Sequence, residues 1–149
     1  MANLEFVREF EVPPKEIFVF FVPQRMALWY GAETNSCFEV QGGASDFAAG
    51  QKVRITGRLG DREVALTVVI TEYQWEQVFE WQIQDSYGVR GKQRWEFQPR
   101  GDTTRLTMLD QYEMPGRVGK VIDRLFTRHG VAARDRSWLD SLQRLAERR

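Results

Sequence analysis

Apolar and polar positions alternate one by one from residue 4 to residue 12. Leu4, Phe6, Arg8, Phe10 and Val12 share one side; Glu5, Val7, Glu9 and Glu11 share the other. A period of two predicts a half-buried strand. Pro13 and Pro14 stop that strand and suit a helix N-terminus, so KEIFVFFV predicts a short helix ended by Pro23. QRMALWYG predicts a second one, closed by Gly31. From Ser36 to Tyr112 the period of two returns along successive segments. Phe38 and Val40, then Val53 and Ile55, then Val64, Leu66, Val68 and Ile70 mark their inward faces, followed by Phe79, Trp81 and Ile83. Trp95 and Phe97 mark the next segment, and the PRGD turn at 99 to 102 leads into TTRLTMLDQYEMPG. Six strands in succession predict an antiparallel meander.

After Gly116 the period lengthens. Val118, Ile122, Leu125, His129, Ala132, Leu139, Leu142 and Ala146 recur at steps of three, four or seven, the stripe of a long amphipathic helix. About 30 residues of helix reach roughly 45 Å, enough to cross a sheet of this size. Gly130 is a candidate bend. The stretch QGGASDFAAGQ at 41 to 51 joins two strands and reads as a mobile loop, a lid beside whatever the sheet encloses.

The chain of 149 residues has the length and apolar content of a single domain, 1–149. Its 21 basic and 21 acidic side chains balance, which argues against nucleic acid or an anionic membrane surface as partner. One cysteine, Cys37, and one histidine, His129, make no disulfide and no structural zinc set, so neither metal nor cofactor is expected. MANLEFVREF lacks the apolar run of a signal peptide, and no segment is long enough for stable membrane insertion. The expected location is the cytoplasm.

A strand, two short helices, six antiparallel strands and a long C-terminal helix form the order of the helix-grip fold. With VPPKEIFVFF followed by LWY, the strand RWEFQPRGDTTRLTMLDQYEMPG and the glycine-rich QGGASDFAAGQ, the chain resembles the START-like, Bet v 1-like (SRPBCC) superfamily, which includes polyketide cyclases and lipid transport proteins. The resemblance implies an α+β fold. It further implies a seven-stranded curved antiparallel sheet wrapped around the C-terminal helix, with a cavity between them for a small hydrophobic molecule.

Candidate chemistry concentrates on that inner face. Asp110 stands among Leu106, Met108 and Tyr112 on the apolar side of its strand, where an ionised carboxylate needs a partner. Arg8 interrupts the first strand's apolar face in the same way. Since the implied fold makes first and last strands neighbours, an Arg8–Asp110 pair is expected, either as a ligand anchor or as a register-fixing ion pair. His129 could face the cavity from the helix. Trp29, Trp81, Gln93, Trp95, Met108 and Tyr112 complete the expected lining, with flat rings and polar tips suited to a conjugated ligand. The Arg-rich run RHGVAARDRSWLDSLQRLAERR reads as a solvated helix face.

Three functions fit this pattern. The first is binding, transport or sequestration of a small hydrophobic, aromatic or polyketide-like ligand. The second is metal-independent polyketide cyclase/dehydratase-like catalysis by cavity acid/base groups. The third is a protein-interaction module, marked by an exposed aromatic such as Trp75 or Trp138. The pattern leaves a homodimer open.

Overall fold

The computed structural model describes residues 2–31, 35–59, 62–84, 90–113 and 128–148, without the side chains of 2, 59, 62, 64, 84 and 128–130. Strand β1 (Ala2–Phe10) is followed by helices α1 (Pro14–Phe18) and α2 (Pro23–Met26). Then come β2 (Cys37–Val40), β3 (Lys52–Leu59), β4 (Arg62–Gln74), β5 (Val78–Gln84), β6 (Arg90–Arg100) and β7 (Thr103–Glu113). Helix α3 (Arg128–Ala146) ends the described chain. The expected helical positions Val118, Ile122 and Leu125 lie outside the described residues, and Gly130 falls in the first turn of α3.

All seven strands form one antiparallel sheet in the order β1-β7-β6-β5-β4-β3-β2. It is the curved sheet of an α+β helix-grip fold, with the two short helices between its first two strands. Alternation decides what each strand buries. Thr104, Leu106, Met108 and Asp110 of β7 are buried, while their odd-numbered neighbours are half-buried. In β4 the series Val68, Ile70 would continue to Glu72, but a register shift between Ile70 and Glu72 turns Tyr73 inward instead.

The interior is built from rings. Phe21 is fully buried and lies within 5.7 Å, centroid to centroid, of Phe18, Trp29, Phe79, Trp95 and Phe97. Several of these pairs are edge-to-face, a geometry worth about 0.5–1.5 kcal/mol beyond area burial. Pro14 and Pro23 start α1 and α2, and both helices end within two turns, so this part of the chain serves to insert Ile17, Phe18, Phe21 and Met26 under the sheet.

Two sequence expectations change here. The loop at 41 to 51 is held down: Phe47 is buried against Tyr73 and Phe79, Gly50 N donates to Ile70 O at 2.7 Å, and Ile70 N donates to Gln51 O at 2.9 Å. Its small residues disguise one deep anchor. Trp138 is also buried, with its ring 4.2 Å from that of Tyr30, and so offers no exposed aromatic patch. Trp75, 49% exposed, stays at the surface edge-on to Phe18.

On the outer face Glu80 of β5 is buried among donors. Arg94 Nη1 lies 2.6 Å away, Thr71 Oγ1 2.7 Å and Lys92 Nζ 3.5 Å. Burial alone would raise the Glu80 pKa; the bonds from Arg94 and Thr71 and the charges of Lys92 and Arg94 outweigh it and hold the carboxyl below its ordinary 4.5.

This packing sets two expected stabilities. Phe21→Ala should cost about 3–5 kcal/mol in urea unfolding, against less than about 0.5 kcal/mol for the exposed Leu28→Ala; equal losses would contradict the ring core. Glu80 has a depressed folded pKa, so its contribution is present above the unfolded value and disappears as pH falls through the folded one. Glu80→Gln should lower stability by roughly 1–3 kcal/mol at neutral pH, with the deficit vanishing in acid. A pH-independent deficit would show that its charge is not what matters.

Candidate functional site

At the far end of β7 from the β6–β7 turn, the ring core gives way to polar side chains. Gln93, Asp110 and Asp135 are each no more than 1% exposed. Sheet register sets the first two side by side, since Gln93 of β6 pairs with Asp110 of β7 and Trp81 of β5 pairs with Gln93. Asp135 and Arg134 arrive from α3. Tyr30 arrives from the turns that follow α2.

The hydrogen bonds fix the chemical state of each member. Gln93 Oε1 accepts from Tyr30 Oη at 2.7 Å and from Trp81 Nε1 at 2.8 Å. With its carbonyl engaged twice, Gln93 turns its amide nitrogen to Asp110 Oδ2, 3.5 Å away. Arg134 Nη2 donates to the same Oδ2 at 3.3 Å. Two donors thus converge on one oxygen of Asp110. Asp135 differs: its Oδ1 accepts from Arg134 Nη2 at 3.2 Å and Nε at 3.4 Å, while its buried Oδ2 has no hydrogen-bond partner among the described residues.

Both carboxyls ionised beside one guanidinium would leave a buried net negative charge, at a cost of several kcal/mol or so. A proton on Asp135 removes it. Burial, then the side-chain hydrogen bond that a protonated Asp135 gives to Asp110, pushes the Asp135 carboxyl from 3.8 up to about 8 despite the opposing pull of Arg134. Burial also drives the Tyr30 hydroxyl far above its ordinary value, so it remains a donor to Gln93.

This arrangement replaces the expected Arg8–Asp110 pair. Arg8 lies opposite Leu106 in the β1–β7 register, while Asp110 faces Leu4. Four strand residues separate the two positions, a span of about 13 Å. The Arg8 guanidinium instead pairs with Asp140 on α3, whose side chain is 61% exposed. Arg134, on the helix, supplies the cation that β1 was expected to supply.

The remaining predicted lining residues divide. Trp29, Trp81, Trp95 and Met108 are fully buried in the ring core, with Trp29 Nε1 donating to Phe20 O at 2.9 Å. Trp81 and Gln93 belong to the polar cluster as well. Trp95 touches Tyr30 and Trp81, and its Nε1 has no hydrogen-bond partner among the described residues. Tyr112 is half-buried against a second apolar cluster formed by Leu4, Val131 and Ala132. The polar residues thus stand where two apolar clusters meet. The side chain of His129 lies outside the described residues. An open cleft of about 850 Å³ lies elsewhere, bordered by Val12, Pro13, Asp102 and Arg148.

Sequence reasoning missed Asp135, Arg134 and Tyr30. A signal for Asp135 existed: it stands three residues after Ala132 and four before Leu139, on the apolar stripe of α3. Among the described residues no cluster of metal-ligating side chains occurs, and no helix is long and apolar enough to cross a membrane.

Residues 1–147 match the profile of a family described as polyketide cyclase/dehydrase and lipid transport. No curated protein sequence matches significantly. Among solved structures, CV1439 from Chromobacterium violaceum is similar at 14% identity and TM-score 0.76, covering 100% of both chains. TTHA0849 from Thermus thermophilus gives 17% identity, TM-score 0.72 and 97% of each chain. Ara h 8.0201 gives 10% identity, TM-score 0.71 and 97% of each. At these identities the likeness concerns the fold.

The carboxyl pair predicts a distinctive pH dependence. Asp135 has a raised folded pKa, so its stabilising contribution is complete below the unfolded value near 3.8 and is lost as pH rises toward about 8. Asp135→Asn cannot titrate and keeps a donor for Asp110. Urea unfolding across that window should show a flatter alkaline limb for the variant than for the parent chain; superimposable limbs would refute the shared proton.

Proposed function

We propose, for a chain that belongs to the polyketide cyclase/dehydrase and lipid transport family of the SRPBCC superfamily, that it binds a small hydrophobic molecule between sheet and α3. The ligand is aromatic or polyketide-like. It is oriented by the polar cluster of Gln93, Asp110, Arg134 and Asp135. The observation that carries this reading is the placement of that cluster: hydrogen-bonding capacity unspent among the described residues at Asp135 Oδ2 and Trp95 Nε1, inside an interior of rings and between two apolar clusters. Burying such groups without partners costs about 1–3 kcal/mol each, a cost that a bound polar head offsets. Apolar burial at about 25 cal/mol per Å² supplies the affinity, and the polar groups set the orientation.

Arg8 does not enter this anchor, because its guanidinium is engaged with Asp140. Met108, Trp29, Trp81 and Trp95 shape the apolar wall, and Tyr112 stands at the boundary of the second cluster. Carriage of a ligand through the cytoplasm, as a monomer or a homodimer, is the setting in which this binding operates.

A second reading has one observation in its favour. A carboxyl that burial pushes up to about 8, with a second carboxyl beside it, is suited to donate a proton near neutrality and take it back, the pairing that aldol closure and dehydration of a poly-ketone require. Asp135 would be the acid and Asp110 the base.

Native mass spectrometry of the purified protein, followed by denaturing extraction, tests the binding reading: a stoichiometric aromatic compound is expected. An empty protein showing no thermal shift with aromatic and polyketide-like compounds would overturn it. Incubation of any extracted compound with parent and Asp135→Asn protein separates the readings. Turnover lost in the variant with binding retained supports catalysis, and an unchanged compound in both supports carriage.

A further inference from the structure

The polar cluster has a definite charge balance, and that balance selects ligands. Asp110 and Asp135 contribute two carboxyls, Arg134 one guanidinium, and the other members, Gln93, Tyr30 and Trp81, are neutral donors or acceptors. The groups facing Asp135 come from three directions: Asp110 on β7, Tyr30 after α2, and Arg134 on its own helix. Among the described residues one positive charge is missing when both acids are ionised. A proton on Asp135, whose carboxyl burial pushes up, would supply it.

We infer that the site takes ligands whose polar head is a cation, above all an amine attached to an aromatic body, and that such a head displaces the proton held between Asp110 and Asp135. This inference rests on the binding reading above and adds the class of ligand. An ammonium beside Asp135 Oδ2 restores neutrality and gives that oxygen the donor it lacks among the described residues. A carboxylate or phosphate head adds a negative charge to a buried site that already holds two acids, which rejects anionic lipids and fatty acids. A hydroxyl head is intermediate, since protonated Asp135 can donate to it with no change of charge.

The way in for such a head is marked by Arg134. Its side chain remains 37% exposed while Asp110 and Asp135 beside it are buried. Its guanidinium carbon lies 4.4 Å from the centre of the Trp138 ring. Stacking on Trp138 gives the guanidinium a favourable position that does not depend on the carboxyls. It can therefore keep its charge at the rim while a second cation occupies the inner oxygen.

Calorimetric titration of the whole protein with naphthylmethylamine, naphthylmethanol and naphthoate, which share one ring system, tests the inference at neutral pH. The amine should bind about tenfold or more tighter than the alcohol, and the carboxylate most weakly. Repeating the amine titration in two buffers of different ionisation enthalpy should show close to one proton released per amine bound, a readout that needs no variant. Asp135→Asn should abolish both the release and the amine preference. Equal affinities, a preference for naphthoate, or amine binding without proton release would overturn the charge assignment and leave the binding reading standing. Absence of binding by all three would overturn both.

Discussion

Two carboxyls from distant parts of the chain meet inside this protein, and burial disfavours charge on Asp135 beside Asp110. Asp110 comes from the last strand and Asp135 from the helix that the sheet grips, so their meeting is also the meeting of sheet and helix. Repulsion between two buried anions would drive these elements apart, and the bonds of Arg134 to both carboxyls draw them together. The seating of α3 therefore depends on the protonation of one group, unlike its apolar contacts through Leu139 and Leu142, which are insensitive to pH. Any molecule that changes the charge between the two acids also acts on how the helix is held.

The rest of the interior supports that arrangement. Trp81 and Tyr30 both donate to Gln93, which leaves the glutamine only its amide nitrogen to offer Asp110. Those two rings are themselves locked in the aromatic core, 5.2 Å apart and nearly perpendicular. The outer face offers an instructive contrast. Glu80 is also a buried acid, but it receives bonds from Arg94 and Thr71 and lies beside Lys92, and it stays ionised. Burial alone does not decide the state of a carboxyl; the number of donors around it does.

Much of this was legible in the sequence. Alternation placed all seven strands and assigned Asp110 to the inner face, because a period of two leaves no freedom about sides. It does not give register. Arg8 and Asp110 share a face on adjacent strands, yet pairing of Leu106 with Arg8 and of Leu4 with Asp110 sets them four residues apart. Helical charge misled in another way: ARDRS reads as a solvated run, whereas Asp135 falls on the apolar stripe between Ala132 and Leu139. A run of charges hides one inward member when position on the helix is ignored. Composition did not show the anchor in the 41 to 51 loop, where among glycines and alanines Phe47 is buried against Phe79.

The claim on which the account turns is that one proton is held between Asp110 and Asp135. Isotope-edited NMR of the aspartate carboxyl carbons, titrated from acid to alkali, observes that proton most directly. Asp135 is predicted to keep its proton far above the ordinary carboxylate range, up to about pH 8. Two independent titrations, both in the ordinary carboxylate range, would contradict the account and return the cluster to a simple pair of ion bridges to Arg134.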